Sequence, residues 1–177
     1  MKHILILVFL ALAIPAALAK PGVQATDPIA PIRQHYAQIN SNVRLYRRVK
    51  KELSGFSAEG GELVAYFHGP SIMKMVATYF GEGGKATEEY YYWDGKLIFV
   101  LRTDYRYNRP LTGKVVKTDV SRFYFNADKL IRWIDETGKQ QSSGTTEYDE
   151  KQKEYLESSK QFSDGARSKN PTIESDQ

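Results

Sequence analysis

Turn signals recur about every ten residues between residues 62 and 147, and this spacing constrains the fold more than any other feature of the sequence. The runs between the turns are rich in β-branched and aromatic residues, as strands are. A connection between parallel strands needs a dozen or more residues, which this spacing does not leave. The segment therefore predicts a single antiparallel meander and excludes parallel pairing.

Specific turn sequences bound the predicted strands. The clearest is Asp94-Gly95, because an Asp-Gly pair between two strand-like runs is the strongest short hairpin signal. We predict about six or seven strands within residues 50–147. The strand-like runs lie at residues 62–68, 72–80, 85–93, 96–104, 114–125, 129–136 and 140–147.

Helical periodicity flanks the strands on both sides. Apolar residues from Ile32 to Tyr46 recur at spacings of three and four, which predicts an amphipathic helix over residues 29–49. A similar pattern predicts a short C-terminal helix over residues 147–162, and the polar residues 164–177 predict a disordered tail. The expected fold is α+β and mostly β, with the N-terminal helix packed on one face of the sheet. Both faces of the middle strands are apolar, so the helices or sheet curvature must cover them.

The N-terminus has the pattern of a secretory signal peptide. A short basic segment precedes an apolar run over residues 4–14, and a small-residue cleavage site ends at Ala19. The apolar run of about 11 residues is shorter than the ~20 that a membrane span needs. We therefore expect cleavage after Ala19, a flexible leader over residues 20–28 and one globular domain over residues 29–163. The mature chain, secreted or periplasmic, should have no membrane span.

The composition excludes several chemistries. The chain has no cysteine, which rules out disulfides, thiolate catalysis and cysteine-bound metals. His35 and His68 show neither metal-ligand spacing nor a serine nucleophile motif, so we expect no metal site and no cofactor. Loss of the signal peptide removes Lys2, so the formal net charge falls from +4 to +3, and this mild excess is only a weak indication of affinity for anionic glycans or lipids and no reason to expect nucleic acid.

Carboxylates keep one enzymatic alternative open. Glu88 and Glu89 are adjacent, but neighbouring strand residues point to opposite faces, so the pair cannot flank one glycosidic bond. Asp104 and Asp119 are possible single catalytic carboxylates. A pocket around His68, Asp104 or Asp119 would favour an enzyme acting on cell-envelope glycans or peptides.

Arginine and tyrosine cluster in the middle and later strands, and both residue types are enriched in binding hot spots. Arginine also binds carboxylate and phosphate bidentately. Arg102, Asp104 and Arg106 share one face of an extended strand, opposite Tyr105 and Tyr107. The candidate binding residues are Arg102, Asp104, Arg106, Tyr105, Tyr107, Arg122 and Arg132. The alternative is an arginine–acid network that stabilises an exposed face, with partners among Glu88, Asp104, Asp119 and Asp135.

Residues 89–98 and 122–131 align without a gap, each with an aromatic triplet, a tight turn and Lys-Leu-Ile. Together with EGGELVAYF, ATYFGEGGK and RYNRP, these segments resemble small secreted bacterial β-meander proteins of uncharacterised function, over about residues 60–135. The resemblance implies a β-meander and supplies no catalytic residues. The aromatic-x-Asp-Gly-Lys unit also resembles MORN-type hairpin repeats, which are mostly interaction scaffolds.

These observations predict a non-catalytic secreted or periplasmic binding or scaffold protein that uses an Arg/Tyr-bearing sheet face. The expected partner is an envelope protein or an anionic glycan. Besides the enzyme, a second alternative is a carrier of an apolar ligand. A carrier needs a continuous apolar cavity of roughly 300 Å³ or more.

Overall fold

The computed structural model describes residues 27–110 and 113–175. The predicted signal peptide and its cleavage site lie outside these residues, as does most of the predicted leader. Helix α1, Ala30–Asn42, begins just after Asp27, whose carboxylate accepts the N–H of Ile29 at 3.3 Å. Pro31 lies in the first turn, where its missing N–H removes no helical hydrogen bond.

A short 3-10 turn, Val43–Leu45, leads from α1 into the strands. A second helix, α2, covers Thr146–Arg167 near the end of the chain. The strands are β1 Arg47–Ser54, β2 Gly61–His68, β3 Ser71–Gly81, β4 Gly84–Trp93, β5 Lys96–Tyr107, β6 Val115–Asn126, β7 Lys129–Ile134 and β8 Thr172–Glu174.

All eight strands form one sheet in the order β7-β6-β5-β4-β3-β2-β1-β8. Strands β1 to β7 pair consecutively and antiparallel, which confirms the predicted mostly β, antiparallel meander. The exclusion of parallel pairing is wrong for β8, which runs parallel to β1. Helix α2 supplies the long connection that a parallel strand requires.

Each face of the sheet has its own apolar core. On the face that packs against α2, called the α2 face, Tyr90 and Phe123 are buried with Tyr155 of the helix. On the opposite face, the α1 face, Tyr91 and Phe99 are buried with Ile32, Ile39 and other α1 residues. Strand alternation separates the consecutive aromatics into these two cores.

The predicted N-terminal helix is too long. Its last residues, 47–49, belong to β1, where Lys51 and Leu53 are buried in alternation with exposed neighbours. This period of two matches a strand that pairs with β2, and the last positions of the apolar helical stripe lie in the connecting turn.

The C-terminal region also differs from the prediction. Residues 140–147 form no strand beyond an isolated bridge from Gln140 to Ile134, and α2 starts within that segment. Helix α2 extends past residue 162, and part of the predicted disordered tail is ordered as β8. The buried Lys51 ammonium donates to the carbonyls of Ser168 (2.8 Å) and Asn170, which holds this segment against β1.

Candidate functional site

The structure places the predicted binding residues on two faces of the sheet. Arg102, Asp104 and Arg106 lie on the α2 face, because every second residue of β5 points to the same side as the buried Val100. Tyr105, Arg122 and Arg132 lie on the α1 face, and Tyr107 follows a bulge next to Arg106. They therefore do not form a single Arg/Tyr surface.

Arg102 is held in an arginine–acid network on the α2 face. Its Nη1 lies 2.8 Å from Glu88 Oε1, and its Nε and Nη2 bind Asp104 at 2.9 and 2.8 Å. Tyr79 and Tyr90 donate their hydroxyls to Glu88 at 2.9 and 2.6 Å. The guanidinium of Arg102 thus has carboxylate partners within the fold, as the alternative interpretation of the sequence proposed.

The surroundings of Glu88 fix the protonation states of its partners. Burial, reinforced by the negative charge of Glu88, raises the pKa of the Tyr79 and Tyr90 phenols, so both stay protonated donors. Burial lowers the pKa of Arg102. Its hydrogen bond to Asp104 and the charges of Glu88 and Asp104 outweigh that effect, so the net direction is upward.

Glu89 forms a separate network on the α1 face, as predicted from strand alternation. Its Oε2 lies 2.6 Å from Lys74 Nζ and accepts the hydroxyl of Tyr91 at 2.5 Å. Lys74 also donates to Asn40 Oδ1 at 3.1 Å. Because Asn40 belongs to α1, this network attaches the C-terminal half of the helix to the sheet.

A groove of about 290 Å³ opens between the N-terminal half of α1 and strands β5 and β6. Ile32 and Tyr36 form its helical wall, and the ring of Tyr36 meets Phe99 edge-on at 5.5 Å between centroids. The sheet contributes a mostly apolar floor. The floor residues are Phe99, Leu101, Thr103, Val120, Arg122 and Tyr124, and Arg33 lies at the rim.

Arg122 is the charged side chain on this floor. It is half-buried, and no described residue forms an ion pair or hydrogen bond with its guanidinium. Glu89 lies in the same cross-strand row, but Leu101 stands between them. Two strand spacings separate Glu89 and Arg122 by about 10 Å, and Glu89 is already paired with Lys74. A half-buried cation without a partner in an apolar concavity is suited to an anionic ligand.

The positive charge around the groove exceeds the negative charge. Arg33 and Arg132 share the carboxylate of Asp27, at 3.2 and 3.4 Å. Within residues 27–110 and 113–175, three arginines on this side, Arg33, Arg122 and Arg132, therefore have one carboxylate, that of Asp27, close to the groove. The resulting field would attract an anion toward the groove mouth.

The residues proposed for an enzyme do not meet in one pocket. Asp104 and Asp119 line an open depression of about 320 Å³ at the β3–β4 turn, and Asp119 is paired with Lys117 at 2.8 Å. His68 lies at the other end of the strands, 5.9 Å from the ring of Tyr46. His35 stacks on Trp93 at 3.8 Å. Within residues 27–110 and 113–175, no three His, Asp or Glu side chains are grouped so that they could hold a metal ion.

The helices in the described part of the chain are too short or too polar to cross a membrane. Comparison with known proteins finds no matching family model, no matching curated protein and no matching solved structure.

Sequence reasoning found Arg122 but not the groove. It assigned Ile32 and Tyr36 to the apolar stripe of α1, which is correct. Tertiary packing decides which strands this stripe contacts, and no local pattern in the sequence indicates that they are β5 and β6 at the groove.

Proposed function

We propose that the protein is a non-catalytic binding protein of the periplasm or the external medium, and that the groove beside α1 binds a small amphipathic carboxylate. The ligand would place its apolar body on the floor of the groove and its carboxylate on Arg122. This proposal joins the predicted arginine-dependent binding of an anion with the alternative of an apolar-ligand carrier.

The half-buried Arg122, which has no ion pair or hydrogen bond to its guanidinium among the described residues, carries the proposal. A charge that is partly removed from water is costly unless it is paired, and arginine binds a carboxylate in a planar, bidentate geometry. The volume of about 290 Å³ lies just below the lower limit of roughly 300 Å³ for ligand pockets, so the groove suits only a small ligand. The lining contains no Asp, Glu, His or Ser, which favours binding over catalysis.

The test uses protein that cells release with its own leader, and mass spectrometry identifies its N-terminus, expected at Lys20. Isothermal titration calorimetry then compares octanoate, octan-1-ol and octylammonium. We expect octanoate to bind most tightly, since only octanoate combines the apolar body with a negative charge. Octylammonium should bind least.

Two variants probe the site, and a matched control probes charge alone. Arg122→Gln should weaken octanoate binding by about tenfold to a hundredfold, the usual loss for a charge-assisted hydrogen bond. Val120→Trp should block both octanoate and octanol by filling the groove. Arg106→Gln removes the same charge from an exposed position on the α2 face and should leave binding unchanged.

Two results would contradict the proposal. Equal binding of octanoate to Arg122→Gln and to the parent protein would show that Arg122 does not bind the carboxylate. Binding that survives Val120→Trp would place the ligand elsewhere on the molecule.

A further inference from the structure

One end of the molecule is rich in basic residues. Three segments meet there: the connection from α1 into β1, the β2–β3 turn and the C-terminal end of α2. They span residues 43–50, 66–72 and 166–171, and none of them contains Asp or Glu. We call this region the cationic end. Its exposed basic residues are Arg44, Arg47, Arg48, Arg167 and Lys169, while Lys50 at its border is paired with Glu62 at 2.7 Å.

The arginines of the cationic end are oriented without being neutralised. Arg47 lies 4.4 Å above the ring of Phe67, and Arg167 lies 5.6 Å from the same ring. Arg167 also donates to the carbonyl of Pro70 at 2.9 Å. Arg48 lies 5.7 Å from the ring of Tyr66. Aromatic rings hold guanidinium groups in place but leave their charge available to an anion.

A small notch between Arg47 and Arg167 strengthens this arrangement. It has a volume of about 320 Å³, and Phe67, Pro70 and Ala166 contribute to its lining. Two guanidinium groups at one notch can together bind the oxygens of a single phosphate group.

Leu45 is an exposed apolar residue of the cationic end, in the connection from α1 to β1. Its exposed fraction is 81%, higher than that of Phe80, Val115 or Val116, the other large apolar residues that are exposed in the described part of the chain. Arg44 precedes it in the 3-10 turn, and Arg47 opens β1 two residues later. An exposed leucine costs free energy in water, and a bilayer would accept it among the lipid chains.

We propose that the cationic end docks the protein on the surface of an anionic lipid bilayer. Arg44, Arg47, Arg48 and Arg167 would bind lipid phosphates, while Leu45 inserts below them. A soluble anionic glycan would match the charge but would give Leu45 no apolar environment, so the leucine favours the bilayer. This inference is independent of the ligand of the groove.

The experiment measures co-sedimentation of the released protein with vesicles. Vesicles of phosphatidylcholine alone are compared with vesicles that also contain phosphatidylglycerol. We expect stronger binding to the anionic vesicles, weakened by added salt. The double variant Arg44→Ala/Arg48→Ala should lower the partition coefficient on anionic vesicles about 25-fold, because each basic residue near the surface contributes about a fivefold factor.

A second variant and a matched control separate insertion from charge. Leu45→Ser keeps every charge and should lower binding to anionic vesicles about tenfold. Lys139→Ala/Lys153→Ala removes the same charge from exposed positions elsewhere and should change binding little. Thermal unfolding checks that each variant is folded.

Three outcomes would overturn the proposal. Equal binding to both kinds of vesicle would show that binding does not depend on the negative charge of the lipids. An equal loss in the Lys139→Ala/Lys153→Ala control would show that overall charge suffices. Unchanged vesicle binding in Leu45→Ser, together with full competition by soluble heparin, would assign the cationic end to a glycan.

Discussion

Glu88 is the most deeply buried carboxylate among the described residues, with 4% of its surface exposed. It is satisfied by two tyrosine hydroxyls and by Arg102, which binds Asp104 with its other nitrogens. Removing one partner of a buried ion pair costs more than the pair contributes, because the remaining charge stays buried. Arg102 is therefore a structural residue, and its substitution would not cleanly test ligand binding.

We predict that Arg102→Ala lowers the free energy of unfolding by about 3 kcal/mol. Arg106→Ala, four residues along the same strand and exposed, should change it by less than about 0.5 kcal/mol. Urea denaturation measures both. The double variant Glu88→Gln/Arg102→Ala should recover part of the loss, because no buried carboxylate is then left without a cation. A loss in Arg102→Ala no larger than in Arg106→Ala would contradict this account of the network.

Residue patterns in the sequence predicted part of this arrangement. Alternation correctly separates Glu88 from Glu89 and places Arg102 beside Asp104 on one face. It could not tell which arginine has an acidic partner. Arg102 and Arg122 look alike in sequence, and the difference arises because Glu88 lies directly across from Arg102, whereas Arg122 has Leu101 opposite it.

Among the secondary-structure elements, α2 and β8 are joined by a close contact. Gly165, near the end of the helix, packs directly against Ile173 of β8, and a Cβ added there would lie 2.4 Å from an Ile173 side-chain atom. An alanine in a helix interior is normally favoured over glycine by about 1 kcal/mol. Here the overlap would push Ile173 out of its buried position. Overpacking of this kind typically costs about 1–3 kcal/mol.

We predict that Gly165→Ala destabilises the protein in spite of its helix propensity, with a net loss of up to about 2 kcal/mol. In the Ile173→Ala background the same change should be neutral or stabilising, since the overlapping atoms are absent. Thermal or urea unfolding of the two single variants and the double variant gives the coupling between the sites. A stabilising effect of Gly165→Ala in the parent chain would show that Ile173 moves aside without cost.

The elements that the sequence predicted well are those with local partners. Strands β2 to β7 follow from turn residues and alternation, because each hairpin partner is a few residues away. Strand β8 was missed, since it has only three residues and pairs with a strand more than a hundred residues earlier. Strand β1 was missed although β2 follows it closely, because its first residues continue the helical pattern and only Val49 and Leu53 in it are apolar.

On the scale of the whole molecule, α1 connects the two proposed surfaces. Its first turns form the wall of the groove, and its last turn leads into the 3-10 turn that carries Leu45. At about 1.5 Å of rise per residue, Ile32 and Tyr36 of the groove wall lie about 15 and 9 Å along the axis from Asn42, where the helix ends. A protein docked through the cationic end would keep the groove away from the lipid contact.

The distribution of tyrosines over both cores makes the whole fold sensitive to alkali. Burial raises the pKa of seven phenols above the ordinary value, and for Tyr92 the pKa reaches about 12. The seven are Tyr46, Tyr79, Tyr90, Tyr91, Tyr92, Tyr148 and Tyr155. In the unfolded chain each ionises near its ordinary value of about 10. A pKa that is raised in the folded state therefore contributes stability that is fully present below about pH 10, the pKa of the unfolded chain, and is lost as the pH rises further.

We predict a two-stage alkaline titration. The tyrosinate ultraviolet absorbance should rise partly and reversibly while the far-ultraviolet circular dichroism stays native. The remaining absorbance should appear only together with the loss of that dichroism, because the buried phenols ionise when the sheet comes apart. Returning the pH to neutral after the first stage should restore the starting spectrum. If all the tyrosines titrated before any dichroism was lost, the phenols would be reachable by solvent in the folded sheet, and the two aromatic cores could not be packed as closely as described.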